Sequence, residues 1–221
     1  MNNPKPPQPE GVAAAPAAAA PADGREAQLL AIARRLFAQK GFDATALRDI
    51  AEAAQITKAA LYYYFPNKDA LYERVVIESM DALLADVQAA VARAPTPTEK
   101  VRAFLHASAD SMEERRDQWV AGSNAFWQAG ATGRRGLALR QRDDYEKLLR
   151  ACIESGIACG ELRPVNPALA GRLLLSGLNQ MSRWHRPGGL LRAREVIDQY
   201  LDIVLLGLLN RAAPAAAATN R

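Results

Sequence analysis

A chain of 221 residues, 49% hydrophobic and 24% charged, has the composition of a soluble globular protein with room for one large domain or two small ones. That balance excludes a low-hydrophobicity disordered chain and a fibrous one. The longest apolar run, Ile203 to Leu209, is far short of the ~18–20 residues that span a bilayer. Twenty-eight basic residues against 24 acidic give a net charge of +4, which permits contact with nucleic acid without demanding it.

Residues 1–23 place Pro4, Pro6, Pro7, Pro9, Pro16 and Pro21 among alanines, with Val12 as the bulky hydrophobe. Such a segment buries no core and is expected to be a disordered tail. Gly11 to Ala20 does not read as a signal peptide, because Lys5 is its one basic flank and prolines interrupt it. From there on the apolar spacing is helical. Leu29, Ile32, Ala33, Leu36 and Phe37 form one helix that Gly41 stops; Leu47, Ile50, Ala51 and Ala54 form a short second; Lys58 to Tyr64 forms a third. Pro66 and Asn67 open a long helix through Leu71, Val75, Leu83, Leu84, Val87 and Val91.

Thr96-Pro97-Thr98-Glu99 combines a threonine cap, proline at the first helical position and a glutamate placed for a capping box. An aromatic segment (Trp119, Phe126, Trp127) and a glycine break from Gly130 to Gly136 follow, then a helix with Tyr145, Leu148, Leu149, Cys152 and Ile153. Asn166-Pro167 opens another helix, and the last carries Ile197, Tyr200, Leu201, Val204, Leu205 and Leu208. Residues 212–221 read as a second disordered tail. No segment shows the period-two alternation of a half-buried strand. The expected fold is all-α, with about nine helices.

Residues 45–68, TALRDIAEAAQITKAALYYYFPNK, place two short amphipathic helices around a tight turn at Ala54 to Thr57. A helix-turn-helix needs this arrangement, its second helix putting N-terminal side chains into the major groove. Small residues such as Ala59 and Ala60 allow close approach to base edges, and a helix N-terminus with a Thr57 hydroxyl suits a phosphate oxygen. The competing reading makes the tyrosines ordinary core or surface aromatics. Three consecutive tyrosines point about 100° apart, however, so one core cannot bury all of Tyr62, Tyr63 and Tyr64.

Residues 25–75, and within them LLAIARRLFAQKGFDATALRDIAEAAQITKAALYYYFPNKDAL, closely resemble the DNA-binding domain of the tetracycline-repressor (TetR) family of bacterial transcriptional regulators. The resemblance implies a helix-turn-helix domain over 24–68 and a ligand-binding and dimerisation domain over 69–211. It also implies that Thr45 and Arg48 lie near phosphates. Thr57, Lys58, Ala59 and Ala60 would form the leading turn of the recognition helix, with Lys58 reading bases. Tyr62, Tyr63 and Tyr64 would press on the DNA backbone, and Lys68 would contact a phosphate. Ala59 stands where glycine is frequent and Tyr64 where histidine is frequent, which leaves the operator sequence open.

In this family the remaining helices bind an inducer and form the dimer. The last helix is apolar over far more than the roughly 100° that one core takes, and the helix before it sets Gly171, Ser176 and Gly177 among leucines. Together they suggest a four-helix dimer interface, with Leu174, Leu178, Tyr200, Val204 and Leu208 as its residues; the competing reading buries the last helix within one subunit. Phe104, Met112, Trp119, Phe126, Trp127, Tyr145, Met181 and Trp184 supply an aromatic lining for something long or flat and hydrophobic, although a core needs such residues too. Gly160-Glu161-Leu162-Arg163-Pro164 and Trp184-His185-Arg186-Pro187-Gly188-Gly189 resemble a subgroup that includes regulators of fatty-acid and sterol catabolism, several responsive to acyl-CoA. On that resemblance Arg134, Arg135 or Arg186 would pair with CoA phosphates.

Cys152 and Cys159 are two turns apart, too far to bridge, and with no histidine beside them they read as packing residues in a reducing compartment. His106 and His185 stand near no nucleophile or metal-ligand constellation, and no phosphate loop or paired carboxylates occur, so neither enzyme, cofactor nor metal is expected. The expectation is a bacterial, cytoplasmic, homodimeric regulator bound to a double-stranded, palindromic operator, released by a hydrophobic small molecule and needing no membrane. Two alternatives stand beside it: a regulator answering to a partner protein without an inducer, and a helical binding protein or enzyme whose motif does not touch DNA.

Overall fold

The computed structural model describes residues 22–120 and 136–208, with the side chains of 24–120 and 140–206. The helices are α1 (Ala22–Lys40), α2 (Leu47–Ala53), α3 (Lys58–Tyr64), α4 (Lys68–Arg93), α5 (Pro97–Glu114), α6 (helical residues 116–120), α7 (Gly136–Ala158), α8 (Pro167–Trp184) and α9 (Ala193–Leu208). Among the described residues there is no strand. The N-terminal tail was expected to reach residue 23, but α1 already includes Ala22 and Asp23. The rest of both tails, Phe126, Trp127, Arg134, Arg135 and the side chain of Leu208 lie outside the described residues.

Caps set the helix starts. Thr57 Oγ1 accepts from Ala60 N at 3.1 Å, Asn67 Oδ1 from Ala70 N at 2.8 Å, and Thr96 Oγ1 from Glu99 N at 3.3 Å. Asn166 Oδ1 accepts from Ala168 N and Leu169 N, with Pro167 in the first turn of α8. Each satisfies an amide that the helix itself leaves unpaired. The start of α5 has a second cap from the turn after α7: Thr98 donates through N (3.0 Å) and Oγ1 (2.8 Å) to Glu161 Oε2. Those bonds hold the Glu161 carboxyl below its ordinary range.

Two cores form. Leu29, Leu30, Ala33 and Phe37 of α1 pack with Ile50, Ala51, Leu61, Phe65 and the first turns of α4 (Leu71, Tyr72, Val75, Val76). The second core collects Leu83, Val87 and Val91 of α4 with the inner faces of α5, α7, α8 and α9. Helix α4 therefore belongs to both, and Met80 packs against each. Arg34 binds Glu78 at 3.0 Å and Arg74 reaches Glu26 at 3.5 Å, tying α1 to the same helix.

Helix α1 ends where Gly41 takes φ +82°, a conformation that costs an L side chain ~1–2 kcal/mol. A Cβ there would meet no atom within 4 Å, so the cost is backbone strain alone. Gly41→Ala is expected to lower unfolding free energy by ~1–2 kcal/mol, measured by urea denaturation with an unchanged m-value.

Candidate nucleic-acid interface and its C-terminal partner domain

Helices α2 and α3 turn toward the N-terminal core the residues that must be dry, Ile50, Ala51 and Leu61. Between them Gln55 adopts φ +54°, Ile56 N donates to Ala51 O at 3.0 Å, and Arg25 Nη2 donates to Ala54 O at 3.0 Å. This pinned turn leaves the start of α3 outward. Thr57, Lys58 and Ala59 are exposed, and Ala60 is half-buried. The Thr57 oxygen caps Ala60, which leaves its hydroxyl proton available to a phosphate.

The tyrosines separate as their spacing requires. Tyr63 is 85% exposed and Tyr62 is 44% exposed, with Lys58 Nζ 5.6 Å from the Tyr62 ring centre. Tyr64 is half-buried on the N-terminal core and meets Tyr63 edge-on at 5.3 Å. Arg48 is exposed and only loosely held by Glu52, at 3.5 Å. Lys58, Tyr62, Tyr63 and Arg48 thus combine cations, phenol hydroxyls and apolar ring faces on outward side chains. These are the group types that hold a phosphate backbone and reach base edges.

Two of the expected phosphate contacts are engaged within the chain. Thr45 is fully buried, and its hydroxyl donates to Gly41 O at 2.7 Å, closing the turn between α1 and α2. Lys68 Nζ donates to Phe42 O (2.6 Å), Asp43 O (3.3 Å) and Thr45 O (2.9 Å), and sits 4.2 Å from the Phe42 ring centre. An ammonium has three protons, and here three carbonyls take them. Lys68 fastens the α1–α2 turn to the start of α4 and thereby positions α2 and α3. The signal for this was Phe42 at the turn, a ring for the cation to cover.

In the C-terminal unit, Phe104, Met112, Trp119, Tyr145 and Met181 come together in one core. Tyr145 packs on Phe104 at 4.6 Å between ring centres. Trp184 does not join them: it is the last residue of α8 and is 52% exposed. Arg186 is exposed beyond α8. A cation the sequence reading missed is Arg116, at the start of α6. Its Nη2 donates to Ser182 O at 2.6 Å, while Nη1 is buried without a partner. A surface groove of about 580 Å³ runs between α4 and α5, with Ala89, Ala90, Ala103 and Ala107 among its walls and Asp86, Arg93, Asp110 and Arg194 as charged groups. It is not the expected aromatic lining.

Within the protomer, four of the expected dimer residues face inward. Leu174 and Leu178 are buried in the protomer's own core, and Tyr200 and Val204 pack against it. The small residues serve the same protomer: a Cβ on Gly177 would lie 3.4 Å from the Tyr200 ring, and one on Gly171 would touch Ile153 and Leu149. The outward apolar residues are instead Leu169, Leu173 and Trp184 of α8 with Ile203 and Leu206 of α9. Helix α9 is tied to α5 by Asp198, whose Oδ1 lies 2.6 Å from His106 Nε2 and 3.0 Å from Arg102 Nη1. Burial pushes the Asp198 carboxyl up, but His106 and Arg102 together hold it below its ordinary range. His185 is buried, with Nε2 on Leu191 O at 2.9 Å. Cys152 is buried as expected of a packing residue; Cys159 is exposed. Among the described residues no three His, Cys, Asp or Glu side chains gather to hold a metal, and no helix is long and apolar enough to cross a membrane.

A pinned helix-turn-helix with an outward aromatic and cationic face, joined by a shared helix to a larger helical unit, defines a DNA-binding regulator of the two-domain type. Residues 29–75 match the model for bacterial regulatory proteins of the tetR family, residues 94–208 match the tetracyclin repressor-like C-terminal domain, and the chain belongs to the TetR family. It is 31% identical over 189 residues to the HTH-type transcriptional repressor KstR2 of Mycolicibacterium smegmatis, covering 85% of this chain and 92% of that one. The solved structure of the ketosteroid transcriptional regulator KstR2 of Mycobacterium tuberculosis superposes with a TM-score of 0.76 at 29% identity, over 85% of this chain and 96% of that one. AibR in complex with isovaleryl coenzyme A and operator DNA shares the fold, with a TM-score of 0.74 at 24% identity, over 81% and 97% of the two chains. The protein is thus a transcriptional regulator rather than an enzyme.

Proposed function

We propose that the protein is a homodimeric repressor released from a palindromic operator by a hydrophobic ligand, with an acyl-CoA thioester as the ligand class. The observation that carries this reading is the double membership of α4. One end holds Lys68, Leu71, Tyr72 and Val75 of the DNA-binding unit; the other puts Leu83, Val87 and Val91 against the aromatic core. A ligand admitted among Phe104, Met112, Trp119, Tyr145 and Met181 presses on the distal turns of a single rod. The rod's near end carries α3 with it, so ligand and operator favour different spacings of the two recognition helices in the dimer. This is a two-state coupling in which each partner weakens the other.

The outward row Leu169, Leu173, Trp184, Ile203 and Leu206 supplies the dimer face. The chain is a family relative of KstR2, and the AibR complex holds a CoA thioester and DNA on the same fold. The buried, unpartnered Arg116 Nη1 is a cation placed at the edge of the core for an anionic or carbonyl part of such a ligand. The test is a mobility shift on DNA from the protein's own upstream region, with and without a panel of acyl-CoAs. A specific complex released by one thioester supports the whole reading. A complex indifferent to every thioester removes the ligand class and leaves the regulator.

Tyr63→Ala isolates the DNA face. With the ring 85% exposed, stability is expected to stay within ~0.5 kcal/mol of the parent. Operator affinity is expected to fall about tenfold, the size of one well-placed polar contact. Fluorescence anisotropy and a thermal melt on the same sample check both halves.

A further inference from the structure

Gln141 stands on α7 one turn before Tyr145 and is nine-tenths buried, at 9% exposure. Its Nε2 donates to Asp81 of α4. A carboxylate only accepts, so this contact fixes which end of the carboxamide is which. Oε1 is the end left over: buried, acceptor only, and without a hydrogen-bond partner. A native interior seldom leaves such an atom unmatched, so it calls for an explanation.

The polar group one turn on resolves the same way. Ser108 Oγ donates its single proton to Phe104 O at 2.8 Å, so in the 2.7 Å contact between Ser108 and Tyr145 the phenol is the donor. That spends the Tyr145 proton and leaves its oxygen an acceptor. Burial pushes the phenol's ionisation well above its ordinary range, so it stays neutral. The Gln141 and Tyr145 side chains therefore both present acceptors on this side of α7, with the Asp81 carboxylate at the other end of the Gln141 carboxamide. Of the buried donors left without a partner, Arg116 Nη1 belongs to a side chain anchored on α8, and Arg115 Nε to one held by Asp86 of α4 and Ser111 of α5.

Resting on the proposed ligand-binding role of this core, we infer that Gln141 is a specificity residue whose Oε1 selects ligands that bring a hydrogen-bond donor, a hydroxyl or an amide N–H, to the α7 wall. The corresponding ketone has no proton for Oε1. A carboxylate beside Oε1 would meet an acceptor, with the Asp81 charge at the far end of the same carboxamide. The apolar neighbours fill the shape of the site and leave this choice to the carboxamide.

The experiment uses two probe pairs on the full chain, read by calorimetry: 2-decanol against 2-decanone, and 3-hydroxydecanoyl-CoA against decanoyl-CoA. In the parent the hydroxylated member of each pair is expected to bind about tenfold more tightly, the effect of one satisfied buried acceptor. Gln141→Leu removes the acceptor at similar volume and should bring both ratios close to one, mainly by weakening the hydroxylated member. The parent's own ratios test the inference even where the variant fails to fold. Ratios near one in the parent, or a preference that survives in Gln141→Leu, overturn it. If the alcohol preference holds but neither thioester binds, the acyl-CoA class falls while the role of Gln141 stands. If no probe binds, the ligand site and the inference fall together.

Discussion

Lys68→Met is expected to lower unfolding free energy by ~2–4 kcal/mol and to weaken operator binding without changing its salt dependence. The ammonium makes three hydrogen bonds to carbonyls, and one to a charged donor is worth ~1.5–3 kcal/mol when well shielded. The site is half-buried, so the sum is discounted, and the cation over Phe42 adds ~0.5–1 kcal/mol. Methionine keeps much of the stem's packing while removing the charge. Were Lys68 a phosphate contact, the slope of log K against log salt would shrink by about one phosphate's share, ~0.9. A lysine that positions α2 and α3 lowers affinity through misplacement of the recognition helix and leaves the slope as it was. Urea melts and a salt series on the same DNA separate the two roles.

The second large effect concerns the dimer. Leu173 is exposed on α8, whereas Leu178 is fully buried. Leu173→Glu is expected to leave the protomer's fold intact while sedimentation shows monomers. Operator affinity should fall about a hundredfold or more, because two half-sites no longer engage as one ligand. Leu178→Ala should behave in the opposite way, costing ~2–4 kcal/mol of stability from the cavity it leaves, with dimers persisting below the new melting point. Monomers from Leu178→Ala and dimers from Leu173→Glu would return the interface to the register expected from sequence.

The faces of α8 and α9 were less legible in the sequence than the starts of the helices. The starts of α3, α4, α5 and α8 were legible because a cap is a local device: Thr57, Asn67, Thr96 and Asn166 each satisfy an amide within three residues. The faces of α8 and α9 were not. Both helices are apolar around much of their circumference, so Leu169 and Leu173 fit helical spacing as well as Leu174 and Leu178. What decides between them is the position of α7, whose Leu149 and Ile153 sit against Gly171. The bonds that Lys68 and Thr45 make within the chain were hidden for a similar reason. A cation and a hydroxyl suit a phosphate, but the turn at Phe42 and Asp43 folds its carbonyls onto a lysine some 23–26 residues away. That at least one of Tyr62, Tyr63 and Tyr64 faces outward was legible from helix geometry, since one core cannot hold three successive tyrosines; that Tyr64 is the one half-buried was not.

Helix α3, with Lys58 and Tyr63 on its open face, is expected to read DNA as one half of a pair. The most direct measurement is selection of bound sequences from a random duplex pool, run with the parent chain and with a Lys58→Ala, Tyr63→Ala double variant. The parent should enrich a palindrome whose half-sites place two recognition helices on one face of the duplex, about 34–36 Å apart, and the variant should lose that enrichment. An unenriched pool from the parent, or the same palindrome from the double variant, would contradict the account.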